Sequence, residues 1–266
     1  MTGDSTYRAL GLGFADLQLE GVAPEVFDRF RRTQPGALER PKFWWQWHVF
    51  EPPPGAEKPK GERFCVLRRD ASGSVDGFAH YRIRKHWADL APDSTLYVDD
   101  LVALSDEAYA DLWHHCLTVD WIRHVSAMVR PATEVLPQLV TDSRGVRQKS
   151  RCDMVWARIL DPVAALAART YRVVDRLTLE VTDSFGGTAS GCFVVDGGPD
   201  GATCKRTDAQ PDLTIRVADL GAAYLGGTPL WPAAGAGRVI EHTPGAVVAF
   251  DRMFGSDRPP WCNTGF

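Results

Sequence analysis

The chain has 266 residues, 44% of them hydrophobic and 24% charged, which at ~150 residues per domain is enough for two domains with real apolar cores and excludes disorder as an overall state. The formal charge of −4 removes the basic footprint of a protein dedicated to nucleic acid or anionic lipid. No window nears the ~20 apolar residues of a membrane span, and the N-terminal Met1-Thr2-Gly3-Asp4-Ser5 lacks a secretory pattern, so a cytoplasmic chain with no membrane span and no nucleic-acid partner is expected.

In chain order, a short strand is predicted at 14–20 and a helix opening at Pro24 and running to 32, before the turn Thr33-Gln34-Pro35-Gly36. Pro41 starts a second helix over 42–50, with Phe43, Trp44, Trp47 and Phe50 on roughly one face. Glu51-Pro52-Pro53-Pro54-Gly55 ends it and leads into an exposed loop to 62. Strands follow at 63–69, 77–85 and 96–104, the first two joined through Ala71-Ser72-Gly73. Ser105 caps the next helix, whose Tyr109, Leu112, Trp113, Cys116 and Leu117 form a stripe at helical spacing. A strand at 124–129, a short helix after Pro131 and a strand at 154–160 give a mixed α/β order. Asp161-Pro162 opens an alanine-rich helix to 169, and the pattern then changes to strands at 177–182, 192–195, 202–205 and 213–217, with helices at 219–225 and 245–254. The domain boundary is expected between 160 and 171.

Few residues announce chemistry. Cys65, Cys116, Cys152, Cys192, Cys204 and Cys262 form no C-x-x-C pair and have no clustered histidine, so no metal is expected and they read as core residues or free thiols. Nine tryptophans favour large packed surfaces or an aromatic pocket. His48, His80, His86, His124 and His242 each stand alone and read as surface or satisfied structural histidines. Arg8-Ala9-Leu10-Gly11-Leu12-Gly13 matches the R-x-x-G-x-G phosphate loop of acetyltransferases, yet the residues after it alternate like a strand instead of opening a helix. Asp153 stands at the start of an apolar strand. The C-terminal Trp261-Cys262-Asn263-Thr264-Gly265-Phe266 either frays, as most termini do, or docks and presents its α-carboxylate as a fixed anion.

Several segments together resemble the Eis (enhanced intracellular survival) family of acetyl-CoA-dependent N-acetyltransferases. They are Phe27-Asp28-Arg29-Phe30-Arg31-Arg32 with Gln34-Pro35-Gly36, Asp76-Gly77-Phe78-Ala79-His80-Tyr81-Arg82, Leu101-Val102-Ala103-Leu104 with Ala108-Tyr109-Ala110-Asp111-Leu112-Trp113, Asp153-Met154-Val155-Trp156-Ala157-Arg158, and Tyr224-Leu225-Gly226-Gly227. The resemblance implies an α/β (α+β) chain: a degenerate GNAT-like mixed sheet flanked by helices over 14–160, followed by a sterol-carrier-protein-like α/β domain over 161–266. Residues 1–13 match a remnant of the family's catalytic domain, which the chain otherwise lacks.

The resemblance also implies site residues. Tyr7 matches the family's general acid, and Phe266 matches the terminal residue whose carboxylate serves as general base. Asp153 matches an aspartate of the substrate pocket and, with Trp261, is the expected contact for an aminoglycoside or lysine-like amine. Gly265 stands where close relatives carry an acid, which weakens the expectation of tight polyamine binding. Acetyl-CoA is the implied cofactor, with no residue assigned to it, and a homo-oligomer, a hexamer by resemblance, is the implied assembly. Two functions are therefore in view: an Eis-type N-acetyltransferase shortened at its N-terminus and inactive without the missing domain, or a binding and assembly protein whose sterol-carrier-like domain holds an apolar ligand.

Overall fold

The computed structural model describes residues 8–11, 19–50 and 61–265, and it divides into two units, each built on its own sheet. The first unit gathers the described residues up to Cys152 together with 261–265; the second is Asp153–Pro260.

The first unit contains the strands β1 (Arg8–Gly11), β2 (Glu62–Arg69), β3 (Val75–Arg84), β4 (Trp87–Ala88), β5 (Ala91–Pro92), β6 (Ser94–Ala103) and β7 (Ile122–Ala127). Its main sheet runs β1-β2-β3-β6-β7, antiparallel except for the parallel pair β6 and β7. A parallel pair needs a crossover, and helix α3 (Asp106–Thr118) supplies it. Ser105 caps α3, its hydroxyl accepting from Ala108 N at 3.1 Å, with Asp106 and Glu107 in the first turn where the helix dipole favours acids.

Period-two alternation gives the sheet two apolar faces. Cys65, Leu67, Phe78 and Val102 pack with Ala23, Val26, Phe27 and Phe30 of α1 (Leu19–Arg31) and with Trp44 and Trp45. Val66, Ala79, Tyr81, Leu96, Val98 and Leu101 pack instead with Ala108, Leu112, Trp113 and Cys116 of α3. A bulge in β6 makes this possible. His80 pairs with Asp100 and Tyr81 with Val98, so Asp99 is the extra residue. The insertion shifts the side-chain phase, keeping Leu96, Val98, Leu101 and Ala103 on the α3 face and turning Asp100 and Val102 toward α1.

Three sequence expectations change here. The helix predicted from Pro24 begins at Leu19, with Pro24 inside it; near a helix start a proline forfeits one backbone bond without breaking the run. The strand predicted at 14–20 lies outside the described residues except for Leu19 and Glu20, which are helical. In the element after Pro41, Trp44 and Trp45 are buried while Phe43 and Trp47 are exposed and meet as a tilted ring pair at 5.5 Å. Phe43 and Trp47 are four residues apart and so share the outer face, whereas Trp44 and Trp45 turn inward; α2 (Lys42–Trp45) then passes into a π-helical turn over Gln46–Phe50. The first unit is completed by the short helix α4 (Leu136–Leu139).

The strand predicted at 154–160 is absent as a strand. The segment is without regular structure, with Val155, Trp156 and Leu160 exposed and only Ile159 buried. An alternating apolar run needs a free sheet edge to become a strand, and within its unit this one runs past a helix instead: a Cβ on Gly221 would sit 2.9 Å from Ala157 O.

The second unit begins with α5 (Pro162–Ala167), capped by Asp161, which accepts from Ala164 N at 3.1 Å. Next come β8 (Asp175–Thr182), β9 (Gly191–Gly198), β10 (Gly201–Arg206), β11 (Leu213–Arg216), α6 (Val217–Ala223), α7 (Trp231–Gly235), β12 (Val239–Glu241) and α8 (Ala246–Phe254). The sheet order is β10-β9-β8-β11-β12, with β8 and β11 parallel. Leu177, Leu179, Phe193, Val195, Leu213 and Ile215 share one core with Leu166, Leu220, Phe250 and Phe254. Phe250 and Phe254 stack at 3.8 Å and Tyr171 meets Phe254 edge-on at 5.0 Å. Arg169 donates to the carbonyls of Tyr224 and Phe254, satisfying oxygens at two helix ends. Gly226 at φ 81° makes the turn after α6, where a Cβ would lie 2.7 Å from Phe254 O.

Two concavities of this unit do not suit an apolar ligand. One is an open trough of about 550 Å³ lined by Glu180, Cys192, Arg206, Asp208 and Gln210 among others. A second, beside Ala223, Asp251 and Phe254, is about 60 Å³, room for a few waters and not for an acyl chain. Among the described residues no helix is long and apolar enough to cross a membrane.

Ser105→Ala removes the α3 cap without touching the core. It should lower the stability of the first unit by about 1 kcal/mol, read as a lower urea midpoint at unchanged slope.

Candidate functional site

Residues 261–265 do not fray. Trp261, Cys262 and Thr264 are buried in the first unit, and the chain there is tied down almost residue by residue. Trp261 N donates to Pro35 O at 2.9 Å and its indole Nε1 to Val129 O at 3.0 Å, while the ring meets Phe30 edge-on at 5.6 Å. Asn263 Nδ2 donates to Asp100 Oδ1 at 3.0 Å, Thr264 Oγ1 to Leu38 O at 3.3 Å, and Trp44 Nε1 to Gly265 O at 2.7 Å.

Arg40 is the hub. Its side chain is fully buried, yet each edge of the guanidinium is used: Nη1 to Asp100 Oδ2 at 2.5 Å, Nη2 to Asn263 O at 2.8 Å and Nε to Thr264 Oγ1 at 3.3 Å. Its faces are used as well, with the Phe27 and Trp44 ring centroids 3.9 and 4.1 Å from Cζ. A planar cation with donors on its rim and π-accepting faces is the one side chain that can do both.

Electrostatics bind the cluster together. Burial works to raise the Asp100 carboxyl, and the charge and hydrogen bond of Arg40 outweigh it, so the group is held below the ordinary carboxylate range. His80, opposite Asp100 in the sheet, is buried with its ring 5.2 Å from Phe78, and Nε2 has no partner among the described residues. Burial pulls its imidazole down to about 4, with Asp100 opposing and Arg40 assisting that shift. It is therefore neutral at pH 7. The expectation of a satisfied or surface histidine fails here, because a neutral ring is tolerated in the apolar layer with one nitrogen unpaired.

Of the residues expected at the site, Tyr7 and Phe266 lie outside the described residues. Asp153 is exposed and makes no side-chain hydrogen bond among the described residues; it belongs to the second unit, whereas Trp261 belongs to the first. Trp261 is a packed anchor, its ring lying under Arg130 at 4.7 Å. His80 lay within the resembling segment Asp76–Arg82 and Trp44 among the aromatics after Pro41, neither with a role attached, and Arg40 and Asp100 carried no motif. The signal available for them was a pair of adjacent acids, Asp99-Asp100, in the middle of an otherwise apolar strand.

Family models match both parts of the chain: an acetyltransferase (GNAT) domain over residues 36–159 and a sterol carrier protein domain over 162–263. An uncharacterized N-acetyltransferase from Streptomyces avermitilis is 38% identical over 246 residues, covering 91% of this chain and 57% of that protein. The N-acetyltransferase Eis of Mycobacterium tuberculosis is 31% identical over 260 residues, 94% of this chain and 60% of that protein. The crystal structure of Eis1 from Mycobacterium abscessus superposes with a TM-score of 0.79 at 32% identity, covering 98% of this chain and 62% of that one. The chain carries a GNAT domain and is similar to the Eis-type N-acetyltransferases along nearly its whole length. Its fold is accordingly a GNAT-like mixed sheet with flanking helices followed by a sterol-carrier-like domain. It spans about three fifths of the length of these relatives.

The GNAT family implies acetyl-CoA, but the described residues do not fit it. Arg8–Gly11, the described part of the R-x-x-G-x-G match, is a β-strand paired with Phe64 to Leu67. Successive N–H groups of a strand point opposite ways and cannot converge on one phosphate as those of a curled loop do. The other opening for an extended ligand would be the edge of β6 beyond Val98, where its pairing with β7 ends. There Arg130 Nη1 occupies Leu101 O at 3.0 Å, and Trp261 takes Val129 O.

Two measurements check the cluster. Unfolded histidine takes up its proton near 6.5 and folded His80 only near 4, so its contribution is intact above pH 6.5 and falls away on acidification between those values, by about 3 kcal/mol in all. His80→Gln should flatten that part of the stability profile measured by urea melts from pH 7 to 4. Asp100→Leu alone should cost about 3–5 kcal/mol by stranding the Arg40 charge, and Arg40→Met with Asp100→Leu should recover most of it.

Proposed function

We propose that this chain is the carboxylate-bearing part of an Eis-type N-acetyltransferase that transfers an acetyl group from acetyl-CoA to an amine of the aminoglycoside or lysine class. In this reading the α-carboxylate of Phe266 accepts the proton of the attacking amine and Tyr7 is the general acid. Asp153 and Trp261 belong to the substrate side, Asp153 by its charge and Trp261 by fixing the segment that leads to Phe266. Acetyl-CoA is held outside the described residues, by a GNAT catalytic domain of the kind the family possesses, and turnover requires that domain.

One observation carries the proposal: the segment before Phe266 is built into the first unit by Arg40, Asp100, Trp44 and the Trp261 anchors. A chain end with a merely passive role needs no such attachment. An α-carboxylate near its ordinary pKa of ~3.5 is a weak base, so its use depends on being fixed against the reacting amine, where a positioned general base contributes ~10²- to 10⁴-fold.

The experiment is a thiol-release assay with acetyl-CoA and an aminoglycoside, run on the chain alone and on the chain joined to a GNAT catalytic domain, with calorimetry of acetyl-CoA on the chain alone. The expected result is no saturable binding and no turnover by the chain alone. With the catalytic domain present, turnover should appear and fall ~10²-fold or more when Phe266 is deleted. Micromolar acetyl-CoA binding to the chain alone would overturn the assignment of the cofactor, and full activity without Phe266 would overturn the assignment of the base.

A further inference from the structure

We infer that residues 154–159 are a docking strand, which adds itself by backbone hydrogen bonds to a sheet edge of the GNAT catalytic domain invoked above, with the Trp156 side chain covered in the joint. The inference rests on the functional reading for the existence of that domain and adds to it the surface by which the two meet.

The family model of the GNAT domain runs to residue 159 and so includes this segment. The sheet of the first unit nevertheless ends at β7 without it, and the segment belongs to the second unit. Its residues, Met154-Val155-Trp156-Ala157-Arg158-Ile159, are rich in the β-branched and aromatic types that suit a strand. A run that is apolar on both faces is the pattern of a strand covered on both sides. Here Trp156 is 87% exposed and Val155 is exposed beside it, with only Ile159 buried. Among the described residues no backbone N–H or C=O of 153–160 has a hydrogen-bond partner. Bare backbone next to a bare indole is what addition to a sheet edge satisfies.

The second unit holds the segment ready. Arg158 Nη2 donates to Asp183 Oδ1 at 2.7 Å and to Phe185 O at 2.6 Å, and its guanidinium lies 5.1 Å from the centroid of the Phe185 ring. Gly221 of α6, by lacking a Cβ, lets the helix approach Ala157 O, and Ile159 is buried in that unit's core. A segment fixed at three consecutive residues loses less entropy on pairing than a free one.

The occupant follows from the edges on offer and from Asp153. The chain's own edges resist a second copy: β7 carries exposed Arg123 and His124, β10 carries exposed Lys205 and Arg206, and β1 and β12 are four and three residues long. Charged or very short edge strands disfavour addition. About two fifths of the length of the relatives lies outside the match, room for a further domain with its own sheet. Asp153, placed above on the substrate side, opens the segment, so a strand paired with the catalytic domain brings that carboxylate to the domain that holds acetyl-CoA.

The test is hydrogen–deuterium exchange read by mass spectrometry, on the chain alone and on the chain joined to the part of the Streptomyces avermitilis relative that it does not cover. In the chain alone the amides of 154–159 should exchange nearly as fast as in an unstructured peptide; in the joined protein they should exchange about 10²-fold more slowly or less. Trp156→Ser should leave the melting temperature of the chain alone within about 2 °C, as for an exposed side chain, and remove at least tenfold of the protection in the joined protein.

Equal exchange in the two proteins would overturn the inference. Protection in the chain alone that grows with concentration, alongside a dimer in sedimentation, would overturn it as well, since the edge would then belong to a second copy. Protection without acetyl transfer would leave the docking strand standing and bring down the activity reading, whereas acetyl transfer without protection would do the reverse.

Discussion

The buried ion pair between Arg40 and Asp100 is the constraint on which the first unit's architecture turns. Two charges withdrawn from water cost several kcal/mol each unless every polar edge finds a partner. Here the partners come from both ends of the chain's order: a strand supplies Asp100, the segment before α2 supplies Arg40, and residues 263 and 264 supply the remaining acceptors. The C-terminal segment therefore completes the acceptors around the buried guanidinium. Ordering that segment costs ~1–2 kcal/mol of backbone entropy per residue, which the Trp261 side chain offsets by burial and Arg40 and Trp44 offset by satisfying its carbonyls. The arrangement is cooperative in the plain sense that each member lacks a partner when another is missing.

A single extra residue in β6 makes the pair accessible. Two consecutive aspartates in a regular strand must face opposite ways, and without the bulge the phase set by Leu96 and Val98 would send Asp100 into the layer beneath α3. With Asp99 inserted, Asp99 goes to the surface and pairs with Arg82 at 2.7 Å, while Asp100 goes inward to Arg40. His80 shares that inner face with Phe78 because β3 keeps its ordinary alternation alongside. The neutral state of its imidazole follows from the company it keeps: apolar rings, a guanidinium, and a carboxylate already engaged.

The same unit shows how a fold can be retained while its face is put to another use. The parallel end of the sheet, where the β6 and β7 ladder stops, is filled by Arg130 and Trp261 from the protein's own chain. Arg130 is itself held by Tyr109 and Glu134, so the plug is an ordered network and not a loose side chain. In the second unit the interior is filled by Phe193, Phe250, Phe254 and Tyr171, which leaves that sterol-carrier-like fold packed as an ordinary core.

Much of the scaffold was legible in the sequence because it depends on local rules. Hydrophobic alternation located β2, β3, β6, β8 and β9, helical spacing with a serine cap located α3, and Asp-Pro located α5. The segments that failed are those whose state is decided at a distance. The run at 154–160 has a strand's alternation but no edge to join. Short α7 takes its N-terminal partner from Asp251 on α8, which accepts from Leu230 N and Trp231 N, and no local motif announces that. The six residues at the C-terminus left both outcomes open, fraying or docking, because burial of a chain end is settled by what it meets.

By itself, then, the sequence determined the two sheets, most of their helices, and a likeness to Eis-type acetyltransferases through ordered segments running along nearly the whole chain. Only the tertiary structure decided which residues form the site around the chain end. Arg40, Trp44, His80, Asp100 and Thr264 are separated by up to 224 residues, and none is unusual where it stands in the chain. Their meaning is a matter of desolvated charge: a guanidinium taken out of water must find its acceptors wherever the fold brings them, and that requirement is written in no local pattern.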